Sequence, residues 1–250
     1  MKHKFILICT IFLCLLNCFV CKASASAQLP TPLILMYHRI SDTLPSDAFT
    51  ITSSMLEEDI KQLKTLGYTF CTAEELHTAE RAKSTKKLAV ITFDDGYQSD
   101  LTLALPILEK YGASATFFII GSKIGTPEYL TEAELKTLAS SRAAQIGNHS
   151  HSLHKLPFEQ VNRLCFMSPH QVLTDYKRNQ QLLSQITGQK ITACSYPYGI
   201  YGKYLDSLLK KEGFNTFCSD ETQAFLNTLP YGRHNRAFDL PIPEIIKRIK

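Results

Sequence analysis

The sequence predicts an α/β fold of parallel strands closed into a barrel-like sheet. Three observations predict it. Short apolar runs alternate with amphipathic segments along nearly the whole chain beyond residue 27, the pattern of strands joined by helical crossovers. The chain has 250 residues, and what remains after an N-terminal leader suits one α/β barrel better than an open sheet. The chemically reactive residues fall just after the predicted strands, where such folds carry their chemistry.

The leader comes first. Met1–Lys4 is basic, Phe5–Cys21 is apolar except for Thr10 and Asn17, and Ala23–Ala27 supplies small residues. That order predicts a secretory signal peptide over residues 1–27, cut after Ala27, with residues 28–250 as one exported domain. An uncleaved N-terminal anchor is the alternative, since the apolar run is at the short limit for a span. It would be the chain's only tie to a membrane. Three of the 27 Lys+Arg and none of the 23 Asp+Glu lie in the leader, so the remainder is close to neutral. Nucleic acid is therefore not an expected partner, because it calls for a strongly basic face. A hydrophobic content of 44% excludes a disordered chain. Cys71, Cys165, Cys194 and Cys218 lie beyond the leader, and none forms a CxxC pair of the structural-zinc type. One or two disulfides and four buried thiols both remain open readings.

The elements follow in order. Leu33–Tyr37 reads as a buried strand ending at His38-Arg39, and polar Ser41–Thr50 as a loop. Leu56, Ile60, Leu63 and Leu66 mark a helix face, capped by Thr52 or Ser53 and closed by Gly67. Ala73–Arg81 is a second helix. Leu88–Phe93 is the clearest strand and stops at Asp94-Asp95-Gly96. A helix runs from about Ser99 to Tyr111, with Pro106 as a kink or as its true first turn. Ala115–Ile120 is a strand, and Thr131 with Glu134 forms a capping box. Ala143–Ile146 is a short strand. Ser168-Pro169 opens a long helix closed by Gly188. Ile191–Tyr196 and Phe214–Phe217 are strands, and Tyr204–Glu212 and Pro243–Lys250 are helices.

Asp94-Asp95 sits at a strand end, where a bend at Gly96 lets two adjacent carboxylates reach one cavity. An ordinary Asp-Gly turn is the plain alternative. His149, His151 and His154 fall within six residues after the strand ending near Gly147. Neutral imidazole is a common metal ligand, and His149 and His154 converge only if their segment is an irregular turn. Two histidines and one carboxylate make a metal set with open positions, and a second carboxylate can serve as general base. The minimal chemistry is metal-assisted hydrolysis. Ser195-Tyr196-Pro197-Tyr198-Gly199 reads as a wall of the site or as a plain Pro-Gly turn. The chain has no Trp, so a sugar platform falls to Tyr or Phe, such as Tyr37, Tyr97, Tyr198 or Tyr201. His38 follows the first strand and can donate a proton to a leaving amine. His77 and His170 read as structural or surface residues, and His234 stays open.

Together, Thr92-Phe93-Asp94-Asp95-Gly96, His149-Ser150 with His154, and Tyr196-Pro197-Tyr198-Gly199 resemble the polysaccharide deacetylases with a NodB-homology domain, carbohydrate esterase family four. Leu35–Ile40 further resembles the branch acting on poly-N-acetylglucosamine. The resemblance covers roughly residues 33–217. It implies a distorted (β/α) barrel with fewer than eight regular units and one divalent metal ion, usually zinc. It implies Asp94 as general base and Asp95, His149 and His154 as metal ligands. It also implies Tyr198 at the oxyanion, with Pro197 and Tyr37 beside the substrate, and His38 as general acid. The substrate it implies is an N-acetylglucosamine polysaccharide, which loses its acetyl group. The spacing to His154 is one longer than in most of the family, and Ser195 stands where the family carries an arginine, so another group must orient Asp94. A non-catalytic carbohydrate-binding protein and a hydrolase of small amides are the rival readings.

Overall fold

A computed structural model describes residues 30–43, 47–155, 167–219, 230–237 and 239–249. The predicted leader and Cys165 lie outside the described residues. In chain order the elements are β1 (Leu33–Tyr37), β2 (Arg39–Ser41), β3 (Thr50–Thr52), α1 (Ser53–Thr65), β4 (Thr69–Phe70), α2 (Ala73–Arg81) and β5 (Leu88–Asp95). There follow α3 (Leu105–Tyr111), β6 (Ala115–Ile119), α4 (Glu132–Ser140), β7 (Ala144–Asn148), α5 (Pro169–Thr187) and β8 (Ala193–Ser195). The chain ends with α6 (Lys203–Lys211), β9 (Asn215–Ser219), β10 (Tyr231–Asn235) and α7 (Ile242–Ile249).

Among the described residues, seven parallel strands close on themselves. The ring runs β5, β6, β7, β8, β9, β10 and β1, and β1 pairs back onto β5 from Leu33↔Ala89 to Tyr37↔Phe93. β4 joins only the first residues of β5, and β2 pairs with β3 in a separate ribbon. The expected barrel with fewer than eight regular units is therefore observed.

Strand alternation divides the core. Ile34, Val90, Phe118, Ala193 and Phe217, one from each of five strands, form one buried cluster with Ala73 and Leu76 of α2. Leu33, Leu35, Tyr37, Ala89, Ile91 and Phe93 belong to another, with Leu56, Ile60 and Leu63 of α1. Phe93 stacks between Tyr37 and Phe117 at centroid distances of 5.3 and 5.0 Å. Truncating it to Ala would cost about 3–5 kcal/mol. The consequence for the site is a matter of register. Val90, Thr92 and Asp94 share one face of β5, so Asp94 stands above the Val90 cluster.

The helix signals act as the sequence implies. Thr52 caps α1 by accepting from the Met55 N–H, and Thr72, Thr131 and Ser168 each close a capping box. Gly188 takes the left-handed conformation after α5. Pro106 lies at the start of α3, which continues directly from a π-helical turn over Asp100–Ala104. Two expectations need correction, and one strand is unexpected. β5 runs on through Asp95 rather than stopping at Phe93. β10 is a strand without an apolar run, and its buried residue is Arg233. The loop expected over Ser41–Thr50 contributes to the β2–β3 ribbon. Cys71 and Cys194 are buried free thiols, and Cys218 is buried as well. No helix among the described residues is long and apolar enough to cross a membrane.

Candidate active site

The site lies at the C-terminal ends of the barrel strands. Asp94 is 2% exposed and has a partner that the sequence does not suggest. Arg233 on β10 grips it with both arms, Nη1 to Oδ1 at 2.6 Å and Nη2 to Oδ2 at 2.7 Å. Nη1 also donates to Thr92 Oγ1 at 3.1 Å, and Nε donates to the Cys218 carbonyl at 3.3 Å. Burial alone would raise the Asp94 pKa, but the charge and hydrogen bonds of Arg233 outweigh it and hold the carboxyl well below its ordinary value. Arg233 supplies the orienting group that Ser195 cannot. It thereby removes the observation that favoured a non-catalytic carbohydrate binder.

Asp95 belongs to the other parity of β5, yet it reaches the same cavity. The chain turns at Asp95 itself, with φ +78°, and again at Gly96, with φ +83°. The expected bend is thus one residue earlier than Gly96. A left-handed aspartate costs on the order of 1–3 kcal/mol, which the surrounding structure must hold. A side chain at Gly96 would also press on Ile119 at 3.0 Å.

His149 directly follows β7 and is buried. Its Nδ1 lies 2.6 Å from Ser195 Oγ and 3.3 Å from the Ser195 carbonyl. Its Nε2 lies 3.6 Å from both Asp94 Oδ2 and Asp95 Oδ1. Ser195, where the family carries an arginine, thus fixes the ring of His149 instead. The irregular turn between the histidines is present. Ser150 has φ +67°, and a 3₁₀ turn over Leu153–Lys155 brings His154 back to 4.4 Å from His149, ring to ring. One ligand atom each from Asp95, His149 and His154 lies within 4.8 Å of the others. His154 Nε2 is buried without a hydrogen-bond partner. A buried acceptor left unpaired is costly, and a cation among these donors would satisfy it. Two imidazoles and one carboxylate fit a divalent ion such as zinc with open positions. Burial pushes both imidazoles below their ordinary pKa, which favours the neutral form that a metal ligand requires.

The other candidates divide. His38 is half-buried after β1. Burial lowers its pKa, and the Asp94 charge offsets part of that. Its Nδ1 is buried without a partner. Tyr198, with φ +57°, lies 4.7 Å from His154, ring to ring. Pro197 is buried and lines an apolar cavity of about 240 Å³ with Leu153, Val172 and Tyr201 rather than an open wall. Tyr37 does not belong to the open site. It is 1% exposed and donates to Asp59 Oδ2 at 3.1 Å, because it shares the helix-facing parity of Leu33 and Leu35. Tyr97 is stacked on Tyr129 at 4.9 Å and lies under Arg39 at 4.6 Å, so other side chains occupy this ring. Phe49, absent from the sequence candidates, is 55% exposed and sits edge-on to His38 at 5.0 Å. Of the five left-handed non-glycine residues described, Asp95, Ser150 and Tyr198 lie at this site. Such a concentration of strain marks a functional site.

Comparison with known proteins shows the family and the fold. Residues 81–217 match the profile of the polysaccharide deacetylase family. Over 205 residues the chain is 32% identical to the polysaccharide deacetylase homologue YxkH of Bacillus subtilis, covering 81% of this chain and 68% of that one. It is 28% identical over 182 residues to poly-β-1,6-N-acetyl-D-glucosamine N-deacetylase of Staphylococcus aureus. That match covers 70% of this chain but 63% of the relative, somewhat less than two thirds of its length. The structure of IcaB from Ammonifex degensii superposes with a TM-score of 0.74 at 26% identity, covering 88% of this chain and 97% of that one. The Streptococcus pyogenes deacetylase PplD, at 21% identity and a TM-score of 0.73, covers 89% of this chain and 98% of that one and shares the fold.

Proposed function

Since the chain belongs to the polysaccharide deacetylase family, we propose that it is a zinc-dependent N-deacetylase of an exported N-acetylglucosamine polymer. The observation that carries the proposal is the Asp95, His149 and His154 donor set beside an Asp94 held ionised by Arg233. Asp95, His149 and His154 hold the ion. When bound, zinc supplies Lewis acidity that polarises the acetamide carbonyl and lowers the pKa of water. Asp94 takes the proton of the attacking water. Arg233 fixes the direction of that carboxylate and keeps it charged. The backbone N–H of Tyr198 faces the developing oxyanion. His38 hands a proton to the leaving amine. Phe49 and Tyr198 supply the apolar surfaces against which a sugar ring can lie, a role that Tyr37 in the core cannot fill.

Substrate and location follow from the same reading. Similarity to the staphylococcal poly-β-1,6-N-acetyl-D-glucosamine deacetylase supports a β-1,6-linked polymer. The leader over residues 1–27 supports export to meet it. The test is acetate release by residues 28–250, loaded with zinc, from N-acetylglucosamine oligomers of β-1,6 and β-1,4 linkage. Release that a chelator abolishes and zinc restores is the expected result. No release from either linkage by protein holding one zinc would refute the deacetylase.

A further inference from the structure

The turn between the two histidine ligands is anchored from outside the site. Ser150 is left-handed, and this conformation is followed by two successive backbone N–H groups that share one acceptor, a small anion nest. The occupant is the carboxylate of Asp175 on α5. Asp175 Oδ1 accepts from the His151 N–H at 2.6 Å and the Ser152 N–H at 3.2 Å. Asp175 Oδ2 accepts from the Ser152 N–H at 3.1 Å and from Ser152 Oγ at 2.6 Å. The carbonyls of the same turn are tied on another element. Gly121 N–H donates to Ser150 O at 3.2 Å, and Ser122 N–H donates to His151 O at 2.8 Å. A second α5 residue, Asn179, donates to Asn148 Oδ1 at 2.8 Å, and that oxygen also accepts from the Ser150 N–H at 2.9 Å.

We propose that Asp175 is a positioning residue for the metal centre: it holds the left-handed Ser150 turn in the one shape that brings His149 and His154 together. The proposal rests on the metal reading above. A free Ser-His-Ser turn would leave the left-handed region, and the five-residue gap would then carry His154 away from His149 and Asp95. These hydrogen bonds of Asp175 go to the backbone of His151 and Ser152 and to the Ser152 hydroxyl, not to a proposed ligand side chain. Its effect passes through the backbone of His151 and Ser152. Charge-assisted hydrogen bonds are about twice as strong as neutral ones, so one carboxylate with four contacts can hold this strained turn.

The experiment measures metal rather than turnover. Zinc affinity is read by competition with a chromophoric chelator, and the cobalt-substituted protein by its visible spectrum. Both use residues 28–250 well below the melting temperature. Asp175→Ala is expected to weaken zinc about 10–100-fold and to change the cobalt spectrum, as loss of an outer support to a ligand does. Asp175→Asn keeps an oxygen for the two N–H groups but cannot accept from Ser152 Oγ, and is expected to fall between. Ser152→Ala removes a single contact, keeps the fold, and is expected to weaken zinc a few-fold. Folded Asp175→Ala and Ser152→Ala proteins that bind zinc within twofold of the original, with its cobalt spectrum, would overturn the proposal. A zinc-loaded original chain that releases no acetate would sink the deacetylase reading, while the zinc titration would still decide the role of Asp175.

Discussion

Two buried arginine–aspartate pairs lie three residues apart at the C-terminal end of the barrel. Arg233 grips Asp94 at 2.6 and 2.7 Å, and Arg236 grips Asp59 at 2.7 and 3.0 Å. All four side chains are almost fully buried. Both pairs bind the last strand region back to the first half of the chain. What separates them is the third neighbour. Asp59 is completed by the hydroxyl of Tyr37, whose own pKa burial, and then Asp59, hold far above its ordinary value, so it only donates. Asp94 instead has His149 Nε2 at 3.6 Å and the charge-sensitive His38 in its field. The same ion pair has its remaining side closed in one case and turned to titratable neighbours in the other, which is where the proposed chemistry needs a base.

The strongest way to break this comparison is to remove one arm from each pair. Arg233→Met and Arg236→Met should each cost about 3–5 kcal/mol in denaturant melts, because each leaves a buried carboxylate uncompensated. Acetate release per folded molecule should fall at least about 100-fold for Arg233→Met, within the range expected for a disabled general base, and stay unchanged for Arg236→Met. Replacing the whole closed cluster, Asp59→Leu with Arg236→Met and Tyr37→Phe so that no buried donor is orphaned, should be neutral or stabilising by about 1–4 kcal/mol and leave activity intact. The same treatment of Asp94 and Arg233 should abolish activity. Equal losses of activity for both pairs would dissolve the distinction.

Metal removal should fall on one pair only. At about 100 times its dissociation constant, zinc should stabilise the fold by about 2.7 kcal/mol, and a chelator should remove that along with acetate release. The same increment should appear in an Arg236→Met background and be absent from His149→Ala. Tyr37→Phe sharpens the closed side. It removes one donor from a buried carboxylate, so it should cost about 1.5–3 kcal/mol and leave kcat and KM for N-acetylglucosamine oligomers unchanged. A raised KM would return Tyr37 to the substrate. Phe49→Ala addresses the open side with the smallest effect. It should raise KM for oligomers about tenfold, with kcat and stability little changed, since an exposed ring contributes mainly by covering apolar sugar surface.

The sequence carries the closed half of this picture poorly and the reactive half well, for physical reasons. β5 is legible because Leu88–Phe93 is apolar but for Thr92 and is followed by two carboxylates. The histidine turn is legible because three histidines in six residues have few structural explanations. Arg233 is hidden because its partner lies 139 residues away and its strand, Tyr231-Gly-Arg-His-Asn, has no apolar run. One signal did point to the need for an orienting group without locating it, the loss of the family's arginine at Ser195. Tyr37 misleads because it adjoins His38 in sequence, yet strand parity sets it with Leu33 and Leu35 against the helices. Phe49 is hidden in a short polar loop whose β2–β3 pairing is too brief to show a period.

The central claim is that Asp94 reacts while its neighbours Asp95, His149 and His154 hold the metal. Zinc content and acetate release, measured side by side in Asp94→Asn and His149→Ala proteins, test it most directly. The account predicts one zinc and at least a thousandfold less acetate for Asp94→Asn, and neither zinc nor acetate for His149→Ala. An Asp94→Asn protein that keeps full acetate release, or that loses its zinc as His149→Ala does, would contradict it.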